Sequence, residues 1–154
     1  MRILDSSHNF LAIDRKYSNL ADSEIIILPA PYEHTVSYGG GAGKGPAAIL
    51  DASAYVEFFD DEFERELCFD CGIATAEPLN FAGKVDRDAL DIIRDSVTEL
   101  IEKDKFVVTL GGEHTISTAP IESHFKKYPD MSILHFDAHS DLRDTYENSK
   151  YSHA

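Results

Sequence analysis

The sequence predicts an α/β protein whose mainly parallel sheet is covered by helices on both faces. Three observations support this prediction. Apolar runs of strand length alternate with stretches of helical periodicity, glycines and prolines separate these segments, and two dense clusters of polar residues begin where an apolar run ends. Ligands bind at the carboxyl ends of the strands in such sheets, so the two polar clusters mark the predicted site.

The predicted strands are apolar segments bounded by turn residues. The first covers residues 24–32, EIIILPAPY, and its prolines open a loop. The second is GIATAEPL, residues 72–79, and the third is KFVVTL, residues 105–110, which ends at two glycines. MSILHFD, residues 131–137, is the fourth predicted strand.

Three stretches have the features of helices. Pro46 begins PAAILDASAYV, where its fixed φ suits a first helical turn. The clearest helix runs from Asp86, a candidate N-cap, to Lys103, with one apolar stripe formed by Leu90, Ile93, Val97, Leu100 and Ile101. A shorter helix covers about residues 117–127 and ends before Pro129.

The composition indicates one globular domain in a reducing, cytoplasmic setting. The 154 residues are enough to bury a core, and the net charge of -14 repels nucleic acid and anionic membranes while attracting cations. No apolar run is long enough for a membrane span or a signal peptide. Cys68 and Cys71 form a single CxxC without a second ligand pair, so we interpret them as structural thiols.

The glycine-rich stretch SYGGGAGKGP, residues 37–46, fails both phosphate-binding patterns. A P-loop would need glycine at Tyr38 and a hydroxyl residue at Gly45, and the dinucleotide pattern would need glycine at Lys44. We interpret the stretch as a flexible surface or active-site loop.

A DxDxxD spacing at residues 86–91 imitates a metal motif. Asp86, Asp88 and Asp91 also lie at the start of the best-predicted helix, where carboxylates favour the helix dipole. The helix-start interpretation explains these acids better than metal binding does.

Two other motifs favour a metal site. In LGGEH the glycines allow a sharp turn that returns His114 to the carboxyl edge of the sheet. In HFDAHSD, alternation along an extended segment places Asp137, His139 and Asp141 on one face, where a divalent cation would stabilise their charges. Asp137 lies nearest the predicted strand and has two oxygens with which to bridge two ions.

The remaining candidates have weaker support. His135 shares the parity of Asp137 but lies deeper in the predicted strand, so we expect a packed or hydrogen-bonded imidazole. Asp144 is either an outer partner of the site or solvated. The other histidines have no ligand neighbour at a suitable spacing and are expected to be ordinary residues: His8, His34 and His124.

Together these motifs resemble the ureohydrolases, the family of arginases, agmatinases and their relatives. GGEHTIS is followed, 23 residues after its histidine, by DAHSDLRD and then by YSHA, and the pair of motifs is more specific than either alone. Upstream, PYEHTVSYGGGAGKGPAAIL is similar to the N-terminal substrate-site loop and first helix of the agmatinase branch. The resemblance covers nearly the whole chain from about residue 24.

The resemblance implies a three-layer α/β/α, arginase-like fold that holds two Mn²⁺ ions. By position, His114, Asp137 and Asp141 match ligands of one ion, and Asp137 and His139 match ligands of the other. His153, in YSHA, matches the histidine taken to shuttle protons. The implied reaction is hydrolysis of a small cationic guanidino compound, with agmatine as the preferred substrate, by a hydroxide that bridges the metals.

One part of the family pattern lies outside the sequence. Ureohydrolases complete both metal sites with two aspartates from a later DxDxxDP motif, and the sequence ends at Ala154 before any such motif. We therefore expect residues 1–154 to be the N-terminal portion of a single, truncated ureohydrolase domain. We expect this portion alone to be weakly active at best, and the intact enzyme to form homotrimers or hexamers.

Other functions remain open at this point. One alternative is a truncated, non-catalytic paralogue or subunit that keeps a partial metal site, and another is a ureohydrolase acting on arginine or guanidinobutyrate. An unrelated nucleotide-binding α/β domain is disfavoured by the failed glycine patterns. No nucleic-acid or membrane partner is expected, and agmatine hydrolysis implies a role in polyamine biosynthesis.

Overall fold

The computed structural model describes residues 1–154 as a three-stranded parallel sheet flanked by helices. The strands are β1 (Ile25–Ala30), β2 (Ile73–Thr75) and β3 (Phe106–Gly111), in the spatial order β2-β1-β3. The α-helices are α1 (Gly45–Ser53), α2 (Leu67–Cys71), α3 (Asp86–Ile101) and α4 (Thr118–Lys127). Short 3-10 helices cover Phe10–Ala12, Arg15–Tyr17, Ala42–Lys44 and His114–Ser117.

The sheet is the middle of three layers, because successive side chains of β1 point to opposite faces. Ile26 and Leu28 are fully buried in the larger hydrophobic cluster, which α3 and α4 complete. Ile27 lies on the other face, in a smaller cluster with Ile73 and, at its margin, Leu50 of α1. The predicted α/β fold with a parallel sheet and the first three predicted strands are confirmed.

Helix α3 packs by the apolar stripe that the sequence predicts. Its five predicted stripe residues are all buried: Leu90, Ile93, Val97, Leu100 and Ile101. The acids at its start face solvent and basic partners, since Asp88 pairs with Lys84 at 3.1 Å and Asp91 with Arg87 at 2.8 Å. At sixteen residues α3 is the longest helix, and none of the helices has both the length and the apolarity to cross a membrane.

The fourth predicted strand is wrong. Residues 131–137 form no strand, and Ile133, Leu134 and Phe136 are 59%, 80% and 90% exposed. An extended segment needs a neighbouring strand for its backbone hydrogen bonds, and β3 pairs with β1 on one side only. The free edge of β3 is not taken by this segment, whose apolar composition alone had predicted a strand.

Two local features complete the sheet's surroundings. Asn9 is buried, and its side chain pairs with the edge of β2, donating to the Ile73 carbonyl and accepting from the Thr75 N–H.

Cys68 and Cys71 lie on α2 as free thiols, and burial raises the pKa of both. A raised pKa disfavours the reactive thiolate, which agrees with structural thiols.

Candidate metal centre

The turn after β3 directs His114 toward the carboxyl edge of the sheet. A Cβ atom at Gly112 would lie 2.0 Å from the Tyr32 carbonyl oxygen, so only glycine fits this close approach of two backbones. The Gly112 N–H donates to the Ala30 carbonyl and the Glu113 N–H to the Tyr32 carbonyl. These bonds tie the turn to the end of β1, and His114 opens the following 3-10 helix.

Four potential ligands meet at this edge. One donor atom from each of His114, His135, Asp137 and Asp141 lies within 4.8 Å of the other three. The closest approach is 2.5 Å, from His114 Nδ1 to Asp141 Oδ2, and Asp137 Oδ2 lies 3.6 Å from the same nitrogen. Two imidazoles and two carboxylates form a nitrogen- and oxygen-rich donor set that suits Mn²⁺.

Asp137 occupies the centre of this set. Its Oδ1 accepts the His139 N–H at 2.9 Å, and this bond, with further help from the nearby imidazoles, holds the pKa of the Asp137 carboxyl below its usual range. Its Oδ2 faces His114 and His135, at 3.6 and 3.8 Å. The carboxylate is thus ionised near neutral pH, with its two oxygens facing different neighbours, as a bridging ligand requires.

His139 lies beside the cluster rather than in it. Its Nδ1 is 3.5 Å from Asp137 Oδ1, and its side chain is 83% exposed. His139 and His114 therefore face different oxygens of Asp137. The assignment of these two histidines to two different ions requires such a separation. This separation is the arrangement that the resemblance implied, and the assignment itself stays a prediction.

The cluster opens into a cavity of about 520 Å³. The predicted ligands His114, Asp137, His139 and Asp141 all line it, and so does His153. Leu142, Arg143 and Tyr146 supply much of the remaining wall. The structure thus brings every predicted site residue to one concave surface of a size that accepts a small molecule.

Two glutamates accept backbone N–H groups from the loops between β1 and α1. Glu33 accepts the backbone N–H groups of Gly41 and Gly43, which hold the pKa of its carboxyl below the usual range. Glu113 accepts the N–H groups of His34 and Thr35 at 2.7 and 2.5 Å. The two carboxylates therefore hold residues 34 and 35, just before the predicted flexible loop, and Gly41 and Gly43 within it, whereas Tyr38 is 95% exposed.

His153 is held against the first of these loops. Its Nδ1 lies 3.3 Å from Thr35 Oγ1, its Nε2 lies 3.3 Å from Ser37 Oγ, and its backbone N–H donates to Thr35 Oγ1. The ring of Tyr146 meets it edge-on, with ring centroids 5.7 Å apart. A histidine bracketed in this way at the cavity wall can carry a proton to or from a bound molecule.

Sequence reasoning undervalued one residue of the cluster. The prediction for His135 is a packed or hydrogen-bonded imidazole, whereas the structure places it among the potential ligands. Its ring lies tilted against that of His114, 5.2 Å between centroids, and its Nε2 faces Asp137. The shared parity of His135 and Asp137 was the signal for this placement. Asp144, by contrast, is solvated and pairs with Lys150 at 3.5 Å, outside the cluster.

Comparisons with known proteins give a consistent result. The model of the Arginase family matches residues 23–154. Agmatinase of Bacillus cereus is 37% identical over 97% of this chain and 51% of its own length. N(1)-aminopropylagmatine ureohydrolase of Synechocystis sp. is 36% identical over 89% of this chain and 46% of its own length.

A solved structure shares the fold. The crystal structure of agmatine ureohydrolase of Thermoplasma volcanium superposes with a TM-score of 0.74 at 22% identity, covering 88% of this chain and 45% of that one. The chain spans about half the length of the curated relatives it matches.

Proposed function

The chain belongs to the arginase family, and we propose that its protein is a Mn²⁺-dependent ureohydrolase that converts agmatine to putrescine and urea. The observation that carries this proposal is the meeting of His114, Asp137 and Asp141 at the carboxyl edge of the sheet, in a cavity that His139 and His153 also line. The relatives named agmatinase support the choice of substrate.

The donor set fits two ions that share one carboxylate. We assign His114, Asp137 and Asp141 to one Mn²⁺ and Asp137 with His139 to the other, since the two Asp137 oxygens face these two groups separately. When bound, the metals supply positive charge that acidifies water and polarises the group under attack. His135 stands beside the first set and contacts Asp137 from the same side as His114.

The chain's own residues then have distinct tasks. The carboxylates give the cavity a negative field that favours a guanidinium cation. The bracketed ring of His153 donates a proton to the departing amine, which would otherwise leave as a strong base. Hydrolysis breaks the bond between the guanidinium carbon and the substituted nitrogen, and the oxygen of water becomes the urea carbonyl oxygen.

The proposal extends to the whole protein. Residues 1–154 form the N-terminal portion of a single ureohydrolase domain, and the further segment supplies the remaining carboxylate ligands. The intact protein is a cytoplasmic homo-oligomer, a trimer or a hexamer, that serves polyamine synthesis. The basis for this extension is that the chain covers 51% of the Bacillus cereus agmatinase.

A second substrate also has support. N(1)-aminopropylagmatine carries the same guanidino group on a longer, more cationic amine, and a ureohydrolase named for it is 36% identical to this chain. The reacting end of both molecules is the same, so residues that contact the far end decide between them.

Urea release tests the proposal. The protein at its natural length is incubated with Mn²⁺ and, separately, with agmatine, N(1)-aminopropylagmatine, arginine and guanidinobutyrate. We expect metal-dependent urea release, fastest with agmatine, that a chelator abolishes. Bound metal without urea from any of the four would contradict the proposal and support a non-catalytic paralogue.

A further inference from the structure

Glu113 is a buried carboxylate whose charge is met by hydrogen-bond donors rather than by a cation. It is only 4% exposed. Oε2 accepts the N–H groups of His34 and Thr35, and Oε1 accepts the Thr35 hydroxyl at 3.0 Å. Burying a charge is costly unless donors compensate it, so this geometry strongly fixes the loop at residues 34 and 35.

Thr35, which Glu113 holds in place, in turn contacts His153. Its hydroxyl donates a hydrogen bond to Glu113, so the Thr35 oxygen can act only as an acceptor toward other groups. It accepts the backbone N–H of His153 at 3.2 Å, and it lies 3.3 Å from the Nδ1 atom of the same residue. An Nδ1 that donates to this oxygen leaves Nε2, which lies 3.3 Å from Ser37 Oγ, as the nitrogen that can accept or donate a catalytic proton.

Glu113 is also next to a proposed metal ligand in the sequence. Glu113 immediately precedes His114, and its own N–H is bonded to the Tyr32 carbonyl at the end of β1. One dipeptide thus carries a proposed metal ligand and, through Thr35, anchors the proposed proton donor 39 positions further along the chain. Catalysis needs such groups held at a fixed separation.

We propose that Glu113 and Thr35 are positioning residues that orient the imidazole of His153 for proton transfer. This inference rests on the proposed function for its catalytic consequence but not for its structural one. Neither residue touches the substrate in this account. Glu113 acts through the Thr35 hydroxyl, and Thr35 acts through the Nδ1 atom and the backbone of His153.

The test compares Thr35→Val, which removes the hydroxyl at nearly constant volume, with Thr35→Ser, which keeps it. In the protein at its natural length, we expect Thr35→Val and Glu113→Gln to lower kcat for urea release about tenfold, as a partial loss of general acid catalysis. KM and bound Mn²⁺ should change less than about twofold, and Thr35→Ser should restore most of kcat. Glu102→Gln, an exposed charge change on another surface, is the matched control.

The His153→Ala background separates positioning from a general structural role. If Thr35 acts through His153, Thr35→Val causes no further loss of kcat once the imidazole is gone. An equal loss of kcat in both backgrounds would overturn the proposal, and so would an unchanged kcat in the Thr35→Val single variant.

A second readout does not depend on activity. The rate at which diethyl pyrocarbonate modifies His153 is followed by mass spectrometry in metal-free protein, and we expect it to rise several-fold in Thr35→Val and Glu113→Gln but not in Thr35→Ser or Glu102→Gln. Equal rates in all variants would contradict the positioning role. Absence of urea release from the unaltered protein, with these rate differences present, would reject the proposed function and leave the positioning role standing.

Discussion

The part of the chain from β1 to α4 and the part that follows it place apolar residues in opposite surroundings. In the first part, Ile26, Leu28 and Leu100 are fully buried between sheet and helices. In the second part, Leu134 and Phe136 are at least 80% exposed, yet this part supplies two carboxylates to the candidate metal centre. The scaffold is thus held by its own core, whereas three of the four clustered ligands lie on a segment with no strand beside it.

This difference shows what each kind of interaction needs. The core forms where the apolar stripe of a helix meets the apolar strands, because the stabilisation from burying apolar surface is roughly proportional to the buried area and has no preferred direction. A strand needs a specific neighbour for its backbone groups. The ligands after residue 131 are therefore held mainly by their contacts with His114 and with one another.

The largest expected effect comes from shortening a side chain in the packed part. Leu100→Ala removes a fully buried side chain and should lower the free energy of unfolding by about 2–5 kcal/mol. Phe136→Ala, at a position 90% exposed, should change it by less than about 0.5 kcal/mol. Urea denaturation followed by circular dichroism measures both, and equal losses would mean that Phe136 is packed.

A smaller effect is expected at the turn between β3 and His114. Gly112→Ala would place a methyl group 2.0 Å from the Tyr32 carbonyl, so the turn must shift, at a cost of about 1–3 kcal/mol. Because His114 follows this turn, Mn²⁺ affinity should fall as well.

Gly83→Ala is the matched control for this change. Gly83 has a positive φ of 71°, and nothing lies within 4 Å of its added Cβ. This variant should lose stability through backbone strain while keeping the Mn²⁺ affinity of the unaltered protein, as titration calorimetry can show. Equal Mn²⁺ affinities for all three proteins would contradict the role of the turn in aiming His114.

Bound metal should slow amide hydrogen exchange in the second part, which without metal exchanges faster than the first. Without metal, the amides of residues 131–142 should exchange with deuterium quickly, and those of β1 slowly, because only the latter are in a ladder. Added Mn²⁺ should slow exchange around residues 137–141 several-fold, since a ligand stabilises the state that binds it. Unchanged exchange in this range would argue against these residues as ligands.

The smallest expected effect concerns the thiols of α2. Burial raises the pKa of Cys68 and Cys71, so alkylation by iodoacetamide at pH 8.5 should be several-fold slower in the folded than in the unfolded protein. The folded state binds these protons more tightly, so the thiols' contribution to stability is constant below the unfolded pKa and falls as pH rises above it. Rapid alkylation of folded protein would indicate exposed thiols.

The sequence predicted the packed part better than the site segment. The stripe from Leu90 to Ile101 and the continuous apolar run of β1 report burial directly, so α3 and the sheet could be derived from the positions of apolar residues. The fourth strand failed because composition measures a preference for burial, and whether a neighbour is present is a property of the whole fold.

For the candidate site, Asp137, His139 and Asp141, which the spacing singled out, all line one cavity, although they do not lie on a strand. The spacing could not predict that His135 and His139 face different oxygens of Asp137. This arrangement depends on side-chain rotation outside a regular strand. The links from Glu113 to Thr35 and from Thr35 to His153 join residues 78 and 118 positions apart. No local pattern in the sequence points to contacts of that range.

Bound metal per chain tests the central claim most directly. Elemental analysis is made on the protein at its natural length, equilibrated with Mn²⁺ and desalted, as the unaltered form and as Asp137→Asn, Asp144→Asn and Asp91→Asn. The account predicts two Mn²⁺ ions in the unaltered, Asp144 and Asp91 proteins, and loss of at least one ion in Asp137→Asn. Full metal content in Asp137→Asn, or loss of metal in Asp91→Asn, would contradict it.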